Sequence, residues 1–254
     1  MMGLRSPFTT PFQPIAHRGG AGEACENSLE AFRNAASLGY RYMETDMQVS
    51  ADGEIYLFHD DRLERVSNGT GFFSDNKAAE IDKLRLLNGE PIIRLADILA
   101  ALPEAIFNID IKRKNGTAPL AQFLSSHPDA ERVIAASFHK DRLELLKELA
   151  GKAVQVTAVQ SDVIKLKLMG WGVPLAKPDV IAAQVPLRHY GVPIITPSFV
   201  SICKKLDIKL HVWAIDDADV MRWLIDSGVD GIMTDRPSLL RKVAIEKGCW
   251  PEVY

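Results

Sequence analysis

The chain has only three cysteines in 254 residues, Cys25, Cys203 and Cys249. An odd number without metal-type spacing argues against a disulfide frame and fits a reducing compartment. Neither sign of charge is in large excess. The formal net charge is -3, which leaves no electrostatic case for a nucleic-acid partner. No apolar run approaches the roughly 18 residues of a membrane helix, so no stable membrane insertion is expected. Met1 to Pro14 lack the apolar core, about 7–15 residues long, of a secretory signal, so the expected location is cytoplasmic. Nothing in the sequence reports the oligomeric state. What the chain does have is apolar substance: 47% of its residues are hydrophobic, enough for a sizeable core and inconsistent with disorder. Its length suits one large α/β domain, expected here over residues 1–254.

Tyr42 to Asp60 carries the densest signal. Tyr42-Met43-Glu44-Thr45-Asp46-Met47-Gln48-Val49 and Glu54-Ile55-Tyr56-Leu57-Phe58-His59-Asp60 read as strands. Ala51-Asp52-Gly53 between them reads as a tight turn, because Asp-Gly favours the backbone angles such turns need. Glu44 and Asp46 then project from one face, roughly 7 Å apart along the strand. Two carboxylates on one face repel unless a positive charge lies between them. A hard divalent cation, Mg²⁺ or Ca²⁺, answers that need with oxygen ligands. A lone Glu-x-Asp also describes a solvated strand edge, but His59-Asp60 at the end of the second run favours chemistry.

The rest of the chain supplies the frame. Residues 1–12 read as a loose lead, and Pro14 to Arg18 as a strand running into Gly19-Gly20-Ala21-Gly22. Those glycines mark a sharp turn or a close approach. Asn27 is expected to cap a helix, with Glu30 in the capping-box position. Residues 61–106 read as a small insertion folded over one mouth of the domain, with helical pieces near 77–86 and 94–102. Asn108, Asp110 and Lys112 alternate with Phe107, Ile109 and Ile111, so the polar three share one face. Beyond them strands and helices alternate regularly, with Asp216 expected to cap the helix that runs to Ser227. Strands near 14, 42, 107, 133, 154, 181, 210 and 231 make eight. Eight β/α alternations in this length indicate a closed parallel barrel, the TIM (β/α)8 barrel of the α/β class. An open doubly wound sheet is the alternative, but the glycines after the first strand do not match its phosphate-loop spacing.

In such a barrel, catalytic groups stand at the C-terminal ends of strands. His17 and Arg18 end the first strand, Glu44 and Asp46 lie on the second, His59 follows the turn, and Asp110 and Lys112 end the third. Singly, each has an ordinary structural reading. Together they suit a phosphate ester. Three carboxylates can hold a cation that neutralises phosphoryl charge. Lys112 and Arg18 can bind phosphate oxygens. Two histidines can act as acid and base near neutral pH.

These stretches resemble the glycerophosphodiester phosphodiesterase family, cytosolic bacterial type. The matching ones are His17-Arg18-Gly19, Glu26-Asn27-Ser28, Glu44-x-Asp46, His59-Asp60, Asn108-x-Asp110-x-Lys112, Trp213 and Thr234-Asp235-Arg236-Pro237. They run through nearly the whole chain. The resemblance implies a TIM barrel, a Mg²⁺ or Ca²⁺ ion, and His17 and His59 as the general acid/base pair. It also implies Glu26 beside the metal site, with Asn27 in the same motif, and Trp213 as a wall near the glycerol. The implied substrate is a small phosphodiester. Asp110 departs from the family, which usually has Glu there, and is similar at this point to the sphingomyelinase D group. A sphingomyelinase D- or lysophospholipase D-like phosphodiesterase is therefore one alternative. A metal-dependent sugar isomerase on the same barrel is another, with less need for Arg18 and Lys112.

Overall fold

The computed structural model describes residues 7–151 and 154–251. Residues 1–6 of the expected lead, and Ala153 at the expected start of the fifth strand, lie outside the described residues. The strands, in chain order, are β1 (Gln13–Ala16), β2 (Tyr42–Val49), β3 (Ile55–Leu57), β4 (Ile106–Ile111), β5 (Val133–Ala136), β6 (Ala182–Val185), β7 (Arg188–His189), β8 (Val192–Pro193), β9 (Lys209–Val212) and β10 (Gly231–Thr234). Parallel neighbours run β5-β4-β2-β1-β10-β9-β6. The circle is completed by the segment at 155–158. Val156 bridges Ala135 of β5, and Thr157 bridges Ala182 of β6, both in parallel. Backbone hydrogen bonds from Ala135 N–H to Gln155 O (2.9 Å) and from Ala158 N–H to Ala182 O (2.8 Å) seal this seam. The result is the expected eight-stave barrel.

Every residue of β2 and of β4 is buried, as parallel strands covered on both faces should be. Alternation decides what each face meets. Met43, Met47, Phe107, Ile109 and Ile111 point outward into the main core beneath the helices. Phe107 meets Phe32 edge-on at 5.6 Å between ring centroids, and burying each such ring stabilises by roughly 1.5–3 kcal/mol. The opposite faces line the barrel interior. An apolar cluster with Phe8, Ile15, Tyr42, Ile106 and Ile134 fills it on one side, and the carboxylates of the same strands lie beyond.

The helices are α1 (Leu29–Ser37), α2 (Ala78–Ile81), α3 (Leu95–Ala101), α4 (Thr117–Ser126), α5 (Lys140–Ala150), α6 (Gln160–Gly170), α7 (Pro197–Lys205), α8 (Ala218–Asp226) and α9 (Pro237–Glu246). Among the described residues, none is long and apolar enough to cross a membrane. Two expected caps move by one residue. Ser28, not Asn27, caps α1, its Oγ accepting from Ala31 N–H at 3.1 Å. Asn27 adopts φ 56° and turns its side chain to β2 instead. Asp217, not Asp216, caps α8, which frees Asp216 for a different task. The hairpin segment Ser50 to Glu54 closes β2 onto antiparallel β3. Residues beyond β3 build their own small core from Phe58, Leu63, Phe73, Ile81 and Leu86. The expected insertion over 61–106 takes in too much: Leu95, Ile98 and Leu99 of α3 pack in the main core, so α3 is a barrel helix. Its apolar spacing has the same period as any short helix, which is why sequence alone assigned it to the insertion.

Candidate active site

The site begins where β1 ends. The chain enters a single 3₁₀ turn, His17–Gly19, with left-handed backbone at Arg18 (φ 50°), Gly19 (φ 81°) and Gly20 (φ 105°). Two constraints require these glycines. A Cβ on Gly19 would stand 2.8 Å from Ala31 Cβ of α1, and one on Gly20 would stand 2.7 Å from Pro237 of α9. The turn is thus clamped between the two helices that flank β1. It aims His17 and Arg18 at the neighbouring carboxylates of β2.

His17 Nδ1 lies 2.6 Å from Asp235 Oδ1, and its Nε2 lies 3.7 Å from Glu44 Oε2. Burial works against the charged ring, but Glu44 and the Asp235 hydrogen bond outweigh it and raise the His17 pKa above its ordinary value. Asp235 is itself fixed from behind. Asp216 Oδ1 accepts from the Asp235 N–H and from Thr234 Oγ1, both at 2.8 Å. His59 follows β3 and repeats the arrangement: its Nδ1 lies 2.6 Å from Asp60 Oδ1. A carboxylate only accepts, so in both pairs Nδ1 carries the proton and Nε2 is left to exchange one. Arg65 donates to both oxygens of Asp60 and to both oxygens of Glu26, the latter at 2.8 and 2.7 Å. The Arg65 hydrogen bond pushes Asp60 down to about 2. Glu26 also titrates below its ordinary value: burial opposes ionisation, but Arg65 and Arg18 prevail.

Parallel pairing sets Glu44 beside Asn108 and Asp46 beside Asp110. All four side chains are buried. Lys112 Nζ bridges two of them, 2.8 Å from Asp46 Oδ1 and 2.7 Å from Asp110 Oδ2. Arg18 Nε lies 3.0 Å from Asp46 Oδ2, and Arg18 Nη1 lies 3.1 Å from Glu26 Oε1. Asn27 Nδ2 donates to Asp46 Oδ2 at 3.3 Å, while its Oδ1 accepts from Thr45 Oγ1 at 2.8 Å. Burial disfavours the Asp46 charge, yet Lys112 and Arg18 keep it below the usual value. Asp110 goes the other way, lifted by burial despite Lys112. Glu44 has the Arg18 N–H at 3.1 Å and the His17 ring. Burial and the Asp46 charge push it up to about 8.

Among the described residues, Glu44, Asp46, Asp110, Glu26, Asp60 and Asp235 thus form ion pairs with no permanent cations but Arg18, Lys112 and Arg65. Among the described residues, no three Asp, Glu, His or Cys side chains stand together as a metal cluster. The donor set nonetheless suits a hard cation, since the site holds more carboxylate than its own cations neutralise, all of it oxygen.

These groups open on a cavity of about 570 Å³. His17, Arg18, Glu44, Asp46, His59, Asp110 and Lys112, each expected from sequence, all line it. Trp213 lines it too, with Phe138 edge-on at 6.0 Å, and also packs against the apolar cluster of the barrel interior. Glu26 does not line it and is paired with Arg18 and Arg65. Sequence reasoning gave no part in the site to Asp235, Asp60, Asp216 or Arg65. Asp60 and Asp235 had a signal, since both stand inside motif stretches; Arg65 and Asp216 had none.

Residues 17–239 match the model of the glycerophosphoryl diester phosphodiesterase family. The chain is 35% identical to a Mycobacterium tuberculosis protein named probable glycerophosphodiester phosphodiesterase 2, covering 93% of this chain and 92% of that one. It is 31% identical to the glycerophosphodiester phosphodiesterase of Caldanaerobacter subterraneus, covering 89% and 95%. The crystal structure of the Agrobacterium tumefaciens glycerophosphodiester phosphodiesterase superimposes with TM-score 0.75 at 25% identity, over 91% of this chain and 99% of that one. An Oleispira antarctica phosphodiesterase in complex with the product sn-glycerol-3-phosphate shares the fold, with TM-score 0.76 at 22% identity over 92% and 96%.

Proposed function

The chain belongs to the glycerophosphoryl diester phosphodiesterase family, and from that premise we propose that it hydrolyses glycerophosphodiesters to glycerol 3-phosphate and an alcohol, with a divalent cation bound by Glu44, Asp46 and Asp110. The observation that carries this reading is the pair of histidines, each anchored through Nδ1 to an aspartate at 2.6 Å, at the mouth that these carboxylates line. The bound cation supplies Lewis-acid neutralisation of phosphoryl charge. Lys112 and Arg18 orient the phosphate oxygens. One histidine takes the proton of the neighbouring glycerol hydroxyl as its oxygen attacks phosphorus. The other gives its proton to the departing alcohol oxygen. In the second half-reaction, water opens the cyclic phosphate and the two histidines exchange roles, which restores both protons. Direct attack by water uses the same groups in one step. The aspartates fix the tautomer in either route, so Nε2 is the atom that moves the proton. The whole chain acts as one phosphodiesterase domain, and three free cysteines fit a cytoplasmic setting.

One observation favours a second reading for the substrate, an acylated glycerol side of the diester. Much of the remaining cavity wall is apolar, with Phe138, Val163, Ile164, Val185, Ile194 and Trp213 beside Gln160, Lys167 and His189. Phe138 and Ile164 are 67% and 52% exposed. Such a wall suits the hydrocarbon chain of a lysophospholipid, as in the lysophospholipase D-like alternative. A panel of glycerophosphodiesters and lysophospholipids, assayed with and without Mg²⁺ or Ca²⁺, tests both readings. Release of glycerol 3-phosphate from a glycerophosphodiester, or of the acylated glycerol phosphate from a lysophospholipid, that chelation abolishes and the cation restores is expected. Full turnover after exhaustive chelation, with no metal found by elemental analysis, removes the cation from the proposal; no turnover of any diester removes the activity.

A further inference from the structure

A chain of polar side chains runs through the barrel interior to the mouth, and its polarity is set far from the site. Gln13, on β1, donates through Nε2 to the backbone oxygen of Thr10. A carbonyl only accepts, so this bond fixes the Gln13 amide. Gln13 Oε1 then faces His211 Nε2 at 3.2 Å, so Nε2 must carry the ring proton. His211 Nδ1 is left as an acceptor and meets Gln184 Nε2 at 3.4 Å. That turns Gln184 Oε1 toward Asn108, whose Nδ2 donates to it at 3.0 Å. The remaining atom, Asn108 Oδ1, is buried and has no hydrogen-bond partner among the described residues. Asn108 is 5% exposed and lines the cavity beside Glu44.

Flipping any one amide sets two acceptors or two donors face to face. Protonating His211 would reverse the Gln184 end, but that ring is fully buried and its burial opposes the charge. The Lys112 ammonium is engaged by Asp46 and Asp110, and the Arg142 Nη1 by backbone oxygens of Ile111 and Lys112. A buried acceptor left unmet costs about 1–3 kcal/mol, so a site that keeps one is shaped for a donor from outside the protein.

We propose that Asn108 is a substrate-positioning residue whose Oδ1 accepts a hydrogen bond from a free hydroxyl of the substrate's glycerol, and that the column from Thr10 through Gln13, His211 and Gln184 fixes it in that role. This rests on the reading of the site as a glycerophosphodiesterase. The bond selects the glycerol side of the diester, because an analogue without that hydroxyl leaves the oxygen unmet.

The test uses the full chain and competitive inhibition by three small phosphates: glycerol 3-phosphate, 1,3-propanediol phosphate without the secondary hydroxyl, and 1,2-propanediol phosphate without the terminal one. Wild-type protein should bind one of the two deoxy compounds roughly 10-fold or more weaker than glycerol 3-phosphate, and which one it is names the hydroxyl. Asn108→Ala should weaken glycerol 3-phosphate and close that gap. Gln13→Met, at the far end of the column, should narrow the gap without touching the mouth, which reads the same effect should the Ala variant not fold. Cation affinity, titrated calorimetrically, should be unchanged in both variants. Equal inhibition of wild-type protein by all three compounds overturns the proposal, as does a gap that survives Asn108→Ala, or cation affinity lost with the gap intact. Failure of wild-type protein to hydrolyse any glycerophosphodiester would instead overturn the functional reading itself.

Discussion

His211 is a buried histidine that must stay neutral, and this makes a measurable prediction about stability. Its ring is fully inaccessible, touched edge-on by Phe8 at 4.8 Å and hydrogen-bonded at both nitrogens in the neutral form. Burial, with a smaller contribution from the Lys209 charge, pushes its pKa down to about 3. In the unfolded chain the same ring titrates near about 6.5. The unfolded state therefore binds the proton first as pH falls. The stability tied to the neutral ring is complete above about pH 6.5 and drains away toward pH 3. By linkage, the loss between pH 8 and pH 5 is about 2 kcal/mol, and the whole difference is roughly 5 kcal/mol. His211→Gln keeps one donor and one acceptor but cannot titrate. Reversible urea unfolding of both proteins at half-unit steps from pH 8 to pH 5 isolates the effect, because the carboxylates common to both cancel in the difference. The variant starts less stable through lost packing, and the deficit should shrink by about 2 kcal/mol at pH 5. A constant difference across that range would refute the reasoning, for the ring would then be protonated equally in both states.

Three further outcomes concern the mouth. His17→Ala and His59→Ala should each lower kcat by roughly 10²–10⁴ on an unactivated diester while leaving the thermal midpoint nearly unchanged, since both rings face a wet cavity; near-normal turnover excludes that ring as acid or base. Asp235→Asn removes the charge and weakens the hydrogen bond that help raise the His17 pKa, so the pH profile of kcat/KM should show that group titrating lower and kcat should fall roughly 10- to 100-fold. Asp110→Asn should sharply reduce both cation affinity by calorimetry and turnover, whereas Asp110→Glu should keep part of each, because the carboxylate is retained with one extra methylene. An Asn variant with unchanged affinity and turnover removes Asp110 from the site.

The barrel was legible because its strands announce themselves by period. Asn108, Asp110 and Lys112 alternate with three apolar residues, so the polar set shares one face, and the barrel topology put Asp110 and Lys112 at the strand end that forms the mouth. The eight staves were found for the same reason. What period cannot report is which of two adjacent polar residues caps a helix. Asn27 and Ser28 are both good caps, as are Asp216 and Asp217, and the choice falls to backbone geometry. In both cases the residue set free serves the site: Asn27 bonds Asp46, and Asp216 fixes Asp235. Partners across long separations were equally hidden. Asp235 reaches His17 over 218 residues, and Arg65 reaches Glu26 over 39. The edge of the insertion was misread because α3 gives no sequence sign of which core it joins.

The charges of the mouth form an alternating ladder that explains why two neighbouring carboxylates behave oppositely. Asp60, Arg65, Glu26, Arg18, Asp46, Lys112 and Asp110 follow one another in contact, negative and positive by turns. Asp46 stands inside this ladder between two cations, so its charge survives burial. Glu44, two residues away on the same strand face and equally buried, stands outside it, and its permanent neighbours offer one amide and no cation. Desolvation then wins at Glu44 and loses at Asp46, although both carboxylates lie at similar depth. The same ladder gives the insertion its part in the site. Arg65 comes from the insertion and Glu26 from the turn after β1, so the rung between them ties the loop that carries His59 to the turn that carries His17. Because Arg65 binds Asp60 as well, the orientation of His59 depends on the insertion staying docked on the barrel. Losing that one guanidinium would therefore loosen one histidine, leave Asp60 without its arginine and leave Glu26 with Arg18 alone, without removing any group that lines the cavity.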